Sequence, residues 1–168
     1  MSAAVLARVT RLEQVFTDIA TTRMRDVPVL NTALGVQAVG FELLAGEEAP
    51  VLLGILVTPW FMNLLRLPLL PDAATTAPEP GSKRRHVCGE QLFEFIAAHE
   101  EALGHFEACS LFSPMFEFAD QAGALATASE ILKLLRAPPA PVQPPVDAPA
   151  VPSRRGFLLG RARPDTAA

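Results

Sequence analysis

Cysteine is scarce in this chain of 168 residues: only Cys88 and Cys109 occur. They lack CxxC spacing and have no histidine pair at ligand distance, so neither a zinc site nor a rubredoxin-type centre is encoded, and metal is not expected. Without a disulfide framework the simplest context is a reducing compartment. Positive charge is also short: 14 Lys and Arg stand against 18 Asp and Glu, a net charge of −4. Phosphate neutralisation needs clustered cations, which argues against nucleic acid as the main partner. No uninterrupted apolar run reaches the roughly 20 residues that a membrane-spanning helix needs. No secretory h-region follows the N-terminal residues, where Arg8, Arg11 and Glu13 bring charge, so a cytoplasmic location is expected. Catalytic wording is missing too. His86, His99 and His105 have no nucleophile at motif spacing, and there is no GxSxG, HExxH or phosphate-cradling glycine loop. No motif supports an enzymatic reading.

What is present is organised around Leu52 to Pro68, a nearly all-apolar stretch that holds the only tryptophan, Trp60. Its first half, Gly54 to Val57, is rich in branched side chains and predicts a buried strand. Its second half sets Trp60, Phe61 and Met62 directly after Pro59, and two readings stay open: the segment finishes a core, or it shows an apolar surface to a partner. If it is extended, Trp60 and Met62 point one way and Phe61 the other. Val36 to Leu44 predicts a strand pairing with this stretch as a hairpin. Gly40 and Gly54, isolated in strands, point to bulges or close backbone approach.

Val5, Val9, Leu12, Phe16 and Ile19 make the apolar stripe of an N-terminal helix, with Arg8 and Arg11 placed on its wet side. Pro71 to Ser82 reads as a loop, and order resumes at Lys83 with a basic run. Gln91 to His99 and Phe106 to Leu111 are read as strands around a turn at Leu103 to His105, although a short helix through Glu101 fits the first of them too. Ser113-Pro114 predicts the start of the longest helix, with Ser113 as N-cap, Pro114 first, and Phe118, Ala122, Leu125, Ala128, Leu132 and Leu135 as its stripe to Arg136. The expected fold class is α+β: a single domain, residues 1–136, with an antiparallel sheet flanked by the two helices. Seven of the sixteen prolines fall in residues 137–152, so 137–168 is expected to be a flexible Pro-rich tail, disordered and ending in a basic and apolar segment, Ser153 to Arg161. That segment is worded like a twin-arginine export motif at the wrong end of the chain. It is either a solvated tail or a tethered docking peptide.

Cys109, among apolar neighbours, reads first as a small buried hydrophobe. Cys88 follows Lys83-Arg84-Arg85-His86 and has the better electrostatics for reactivity. Together they are the redox candidates.

The chain resembles the HybE/HupJ family of nickel–iron hydrogenase assembly chaperones. The residues that carry this are Arg23-Met24 with Pro28-Val29-Leu30-Asn31, Ala38 to Phe41, Thr58 to Leu64, Ala108 to Met115, Phe118 to Ala122, and Ser153-Arg154-Arg155. The segment His86-Val87-Cys88-Gly89 departs from the family pattern, which leaves Cys88 without its support. The resemblance implies a non-enzymatic accessory protein without a cofactor of its own. It implies, as partners, the hydrogenase small-subunit precursor, the large subunit, or both, held in the cytoplasm before twin-arginine export. Some relatives carry a fused rubredoxin domain, which the missing CxxC pair does not imply here. The candidate partner contacts are Pro59, Trp60, Phe61, Met62 and Asn63, then Ser113, Pro114, Met115 and Phe116, and in the tail Arg154, Arg155 and Phe157. The competing reading is a redox or metal-handling maturation factor acting through Cys88 or Cys109.

Overall fold

Strands β2 (Val51–Val57) and β3 (Met62–Pro68) are the most buried of the sheet, and β2 is apolar on both faces because both faces are covered. The computed structural model describes residues 1–71 and 77–138. The expectations for the tail, Arg154, Arg155 and Phe157 included, lie outside the described residues. In chain order the elements are α1 (Ala3–Thr21), β1 (Gln37–Leu43), β2 (Val51–Val57), β3 (Met62–Pro68), β4 (Lys83–Cys88), β5 (Gln91–Glu100), β6 (Gly104–Phe112) and α2 (Gln121–Arg136). The six strands form one sheet in the order β1-β2-β3-β6-β5-β4, antiparallel throughout. Leu52 and Leu56 face α1, where they meet Val5, Leu12, Val15 and Phe16. Leu53, Ile55 and Val57 face the other way, towards Ala124, Ala128 and Leu132 of α2. Such period-2 sorting onto two buried faces gives a strand with no polar positions.

The two strand glycines have steric causes. A Cβ on Gly54 would come 2.4 Å from the Phe41 ring. Gly40 has φ +59° and lies where the β1–β2 register slips between Val39 and Glu42. A Cβ there would sit 2.7 Å from Leu132 Cδ1, so a bulge and a close helix approach coincide at one residue.

Two expectations are corrected. Arg8 is not on the wet side of α1: it is 7% exposed. Its Nε donates to Pro68 O at 2.9 Å and its Nη2 to Leu103 O at 2.7 Å, which ties the helix to the end of β3 and to the β5–β6 turn. Burial of this guanidinium is compensated by those carbonyls, although it lowers the group's pKa. Nor does the last helix begin at Ser113-Pro114, whose peptide bond is cis. It starts seven residues later, with Asp120 as N-cap accepting from Gly123 N–H at 2.8 Å. The carbonyls of Met115 and Phe118, which a helix would use internally, are bonded by Asn31 instead. Its buried stripe accordingly runs Ala124, Ala128, Leu132, and Ala122 is exposed.

Candidate functional site

The β2–β3 connection is a tight turn built by Thr58. Its N–H donates to Phe61 O at 2.9 Å. Its hydroxyl donates to the same carbonyl at 3.0 Å and accepts from the N–H groups of Trp60 and Phe61 at 3.3 and 3.0 Å. A turn abolishes strand alternation, so Trp60 and Phe61 fall together on the α1 side, contrary to the extended reading. Phe61 packs edge-on to Phe16 at 5.8 Å, and Trp60 edge-on to Phe61 at 5.4 Å. Met62 turns into the α2-side core and is fully buried.

Met62 pairs in register with Phe112, so the segment after β6 leaves the sheet beside this turn. Ser113 Oγ donates to Trp60 O at 3.5 Å. Asn31, in the connector after α1, fastens the two segments. Its N–H donates to Pro59 O at 2.8 Å. Its Nδ2 donates to Met115 O at 2.9 Å and to Phe118 O at 2.8 Å, while Oδ1 accepts from Ala33 N–H at 3.1 Å. Residues 59–63 and 113–118, some fifty positions apart in sequence, are thereby set side by side at one end of the sheet. Asn31→Ala strips two part-buried carbonyls of their donors, which costs about 1–3 kcal/mol. Asn31→Asp keeps the acceptor but not the donors and should lose nearly as much in urea unfolding. An Asp variant as stable as the wild type would contradict the role given to Nδ2.

This end exposes apolar side chains beside the polar Ser113 and Glu117. Phe116 is 58% exposed and Val29 42%, Ser113 and Pro114 are exposed, and Pro59 and Trp60 are half-buried. Met115 is fully buried, as is Met62, so these two expected contacts are core residues that support the surface from below. Phe118 likewise packs inward, edge-on to Phe112 at 5.1 Å. Asn63 is half-buried on the α1 side, paired with Leu56 and Ser110. Its Oδ1 is buried without a hydrogen-bond partner among the described residues.

The cysteines look inward. Cys88 is buried with Phe95 on the α2 side, while Lys83, Arg84 and Arg85 point out to solvent. Burial pushes its thiol pKa up, outweighing the opposing pull of Arg66. Half-buried Cys109 is raised for the same reason. Neither thiol has the electropositive, accessible setting of a reactive cysteine, so the electrostatic advantage expected of Cys88 is corrected. Among the described residues no group of three or more His, Cys, Asp or Glu side chains could hold a metal ion.

Sequence reasoning missed a polar network on the same face. Arg66, with a side chain only 7% exposed, pairs with Glu107 at 3.2 Å and Glu47 at 2.9 Å. Glu107 Oε2 also meets His86 Nε2 at 3.0 Å. One carboxylate thus links β3, β4 and β6.

The family model for the nickel–iron hydrogenase assembly chaperone HybE matches residues 7–160. Protein HoxT of Cupriavidus necator is 49% identical over 164 residues, which covers 93% of this chain and 90% of that one. The hydrogenase expression/formation protein HupJ of Bradyrhizobium diazoefficiens is 38% identical over 154 residues, covering 86% and 83%. The solution structure of HybE from Escherichia coli shares the fold, with a TM-score of 0.61 at 22% identity over 94% of this chain and 91% of that one.

Proposed function

Because the chain belongs to the HybE family of nickel–iron hydrogenase assembly chaperones, we propose that it captures an immature hydrogenase subunit on the apolar end of its sheet. The subunit is the small-subunit precursor, the large subunit, or both, and it is held in the cytoplasm until cofactor insertion is complete and twin-arginine export can proceed. One observation carries this reading: two segments remote in sequence are joined through Asn31 at one end of the sheet, where Pro114 and Phe116 are exposed and Pro59 and Trp60 half-buried. Asn31 fixes the backbone on either side of Phe116, and an interface anchor is aromatic and preset. Phe61 backs Trp60 from the α1 side. Arg154, Arg155 and Phe157 add a second contact on a proline tether, which raises effective concentration.

Release needs no reaction. A half-folded subunit offers an apolar segment that its own core later buries, and completion of that core withdraws the segment from the chaperone. The test is capture of each hydrogenase subunit, produced separately, by the immobilised full chain. Immature subunit should be retained and the mature, cofactor-loaded one should pass through. Equal retention of mature and immature forms, or of neither, would overturn the proposal.

A further inference from the structure

The two edges of the sheet are finished differently. On β1 the Ala38 N–H donates to the Glu13 carboxylate at 2.8 Å, and the Gly40 carbonyl accepts from the Arg136 guanidinium. Both helices therefore reach over that edge and occupy its backbone groups. Among the described residues the β4 edge has no such cover. Among the described residues strand Lys83–Cys88 pairs with β5 alone, and no side chain bonds its backbone groups.

Charge on an edge strand ordinarily blocks pairing with other chains, and Lys83-Arg84-Arg85 supplies charge. Two observations go beyond a guard. Residues 1–136 hold ten Lys and Arg against sixteen Asp and Glu, and three of those ten are consecutive on this edge. Among the described residues Glu94, 2.9 Å from Lys83 and opposite Arg85 in register, is the only carboxylate ion-paired to them. In addition, Val87 is 69% exposed, Leu92, opposite it, 60%, and Ile96 47%. An edge meant only to repel gains nothing from uncovered branched side chains beside its cations.

We propose that the β4 edge is a second docking surface that takes an extended acidic segment of a partner protein as a seventh strand. It uses residues other than those of the client-binding end and stands independently of that reading. Main-chain hydrogen bonds to β4 hold such a strand, and alternate side chains select it. Arg84 and Arg85 point to opposite faces, so the preferred segment carries two consecutive carboxylates, one for each guanidinium. Two positions further along, on the Arg85 side, an apolar residue lies over Val87 and Leu92.

The probe is an end-blocked octapeptide with two consecutive central Glu residues flanked by Val and Leu, titrated into the isotope-labelled full chain. Amide shifts confined to residues 83–88, saturable binding and weakening with salt are expected. The double charge reversal Arg84→Glu with Arg85→Glu should weaken binding at least tenfold, while a Lys-for-Glu version of the peptide should bind that variant instead. Several results would overturn the proposal. They are failure of the acidic peptide to bind the wild type, equal binding by the reversed variant, or self-association of an Arg84→Ser, Arg85→Ser chain without peptide binding. Pelleting of the wild type with anionic vesicles while it ignores the peptide would overturn it as well.

Discussion

Glu107→Ala should lower the free energy of unfolding by about 3–5 kcal/mol, because it leaves a buried guanidinium short of its counter-charge. Arg66 Nε pairs with Glu107 at 3.2 Å, and its remaining carboxylate, Glu47, is 34% exposed and wet. The same substitution frees His86, which meets Glu107 at 3.0 Å, so the link from β3 across to β4 is cut at both ends. A loss of that size is a large fraction of the roughly 5–15 kcal/mol that holds a domain together. Glu107→Gln keeps an acceptor and should cost less. Arg66→Met with Glu107→Leu removes both charges and should recover most of the stability, since an apolar pair of similar volume avoids the desolvation cost. Urea unfolding at fixed pH reads all three. An Ala variant within about 1 kcal/mol of the wild type would show that water, not the protein, solvates Arg66.

The parts of the fold written in the sequence are those where one residue answers to one physical demand. The α1 stripe, the doubly buried β2 and the bulge and contact glycines could be read because side-chain period and steric room act locally. The second helix was misplaced for a non-local reason. Ser113-Pro114 carries every local mark of a helix start, but the carbonyls that follow are claimed by Asn31, more than eighty residues upstream. Helical period alone puts Arg8 on the wet face, and only the carbonyls of Pro68 and of Leu103 in the β5–β6 turn make its burial tolerable. Met62 and Met115 illustrate the ambiguity of large apolar residues, which suit a core and an interface equally well. Asn31 had a signal, the Pro28-Val29-Leu30-Asn31 wording, but nothing local to show that its amide would join two distant segments. Nothing local marks Arg66 as part of a buried network, because its partners are remote: Glu107 on β6 and Glu47 in the β1–β2 connection.

Trp60→Ala combined with Phe116→Ala should weaken capture of the immature subunit roughly 100-fold or more. Truncating an aromatic anchor typically costs 2 kcal/mol or more, and each 1.4 kcal/mol is tenfold in affinity. The two side chains do not share the same risk to folding. Trp60 packs on Phe61 at 5.4 Å, so its loss also loosens the turn. Phe116, 58% exposed, touches little of the core, and its truncation should stay within about 0.5 kcal/mol of wild-type stability. Phe116→Ala therefore separates binding from folding.

The most direct measurement is the dissociation constant of Phe116→Ala for the immature subunit, taken beside its urea unfolding midpoint. A loss of at least tenfold in affinity at an unchanged midpoint is predicted. Wild-type affinity at that midpoint would show that this end of the sheet is not where the client sits.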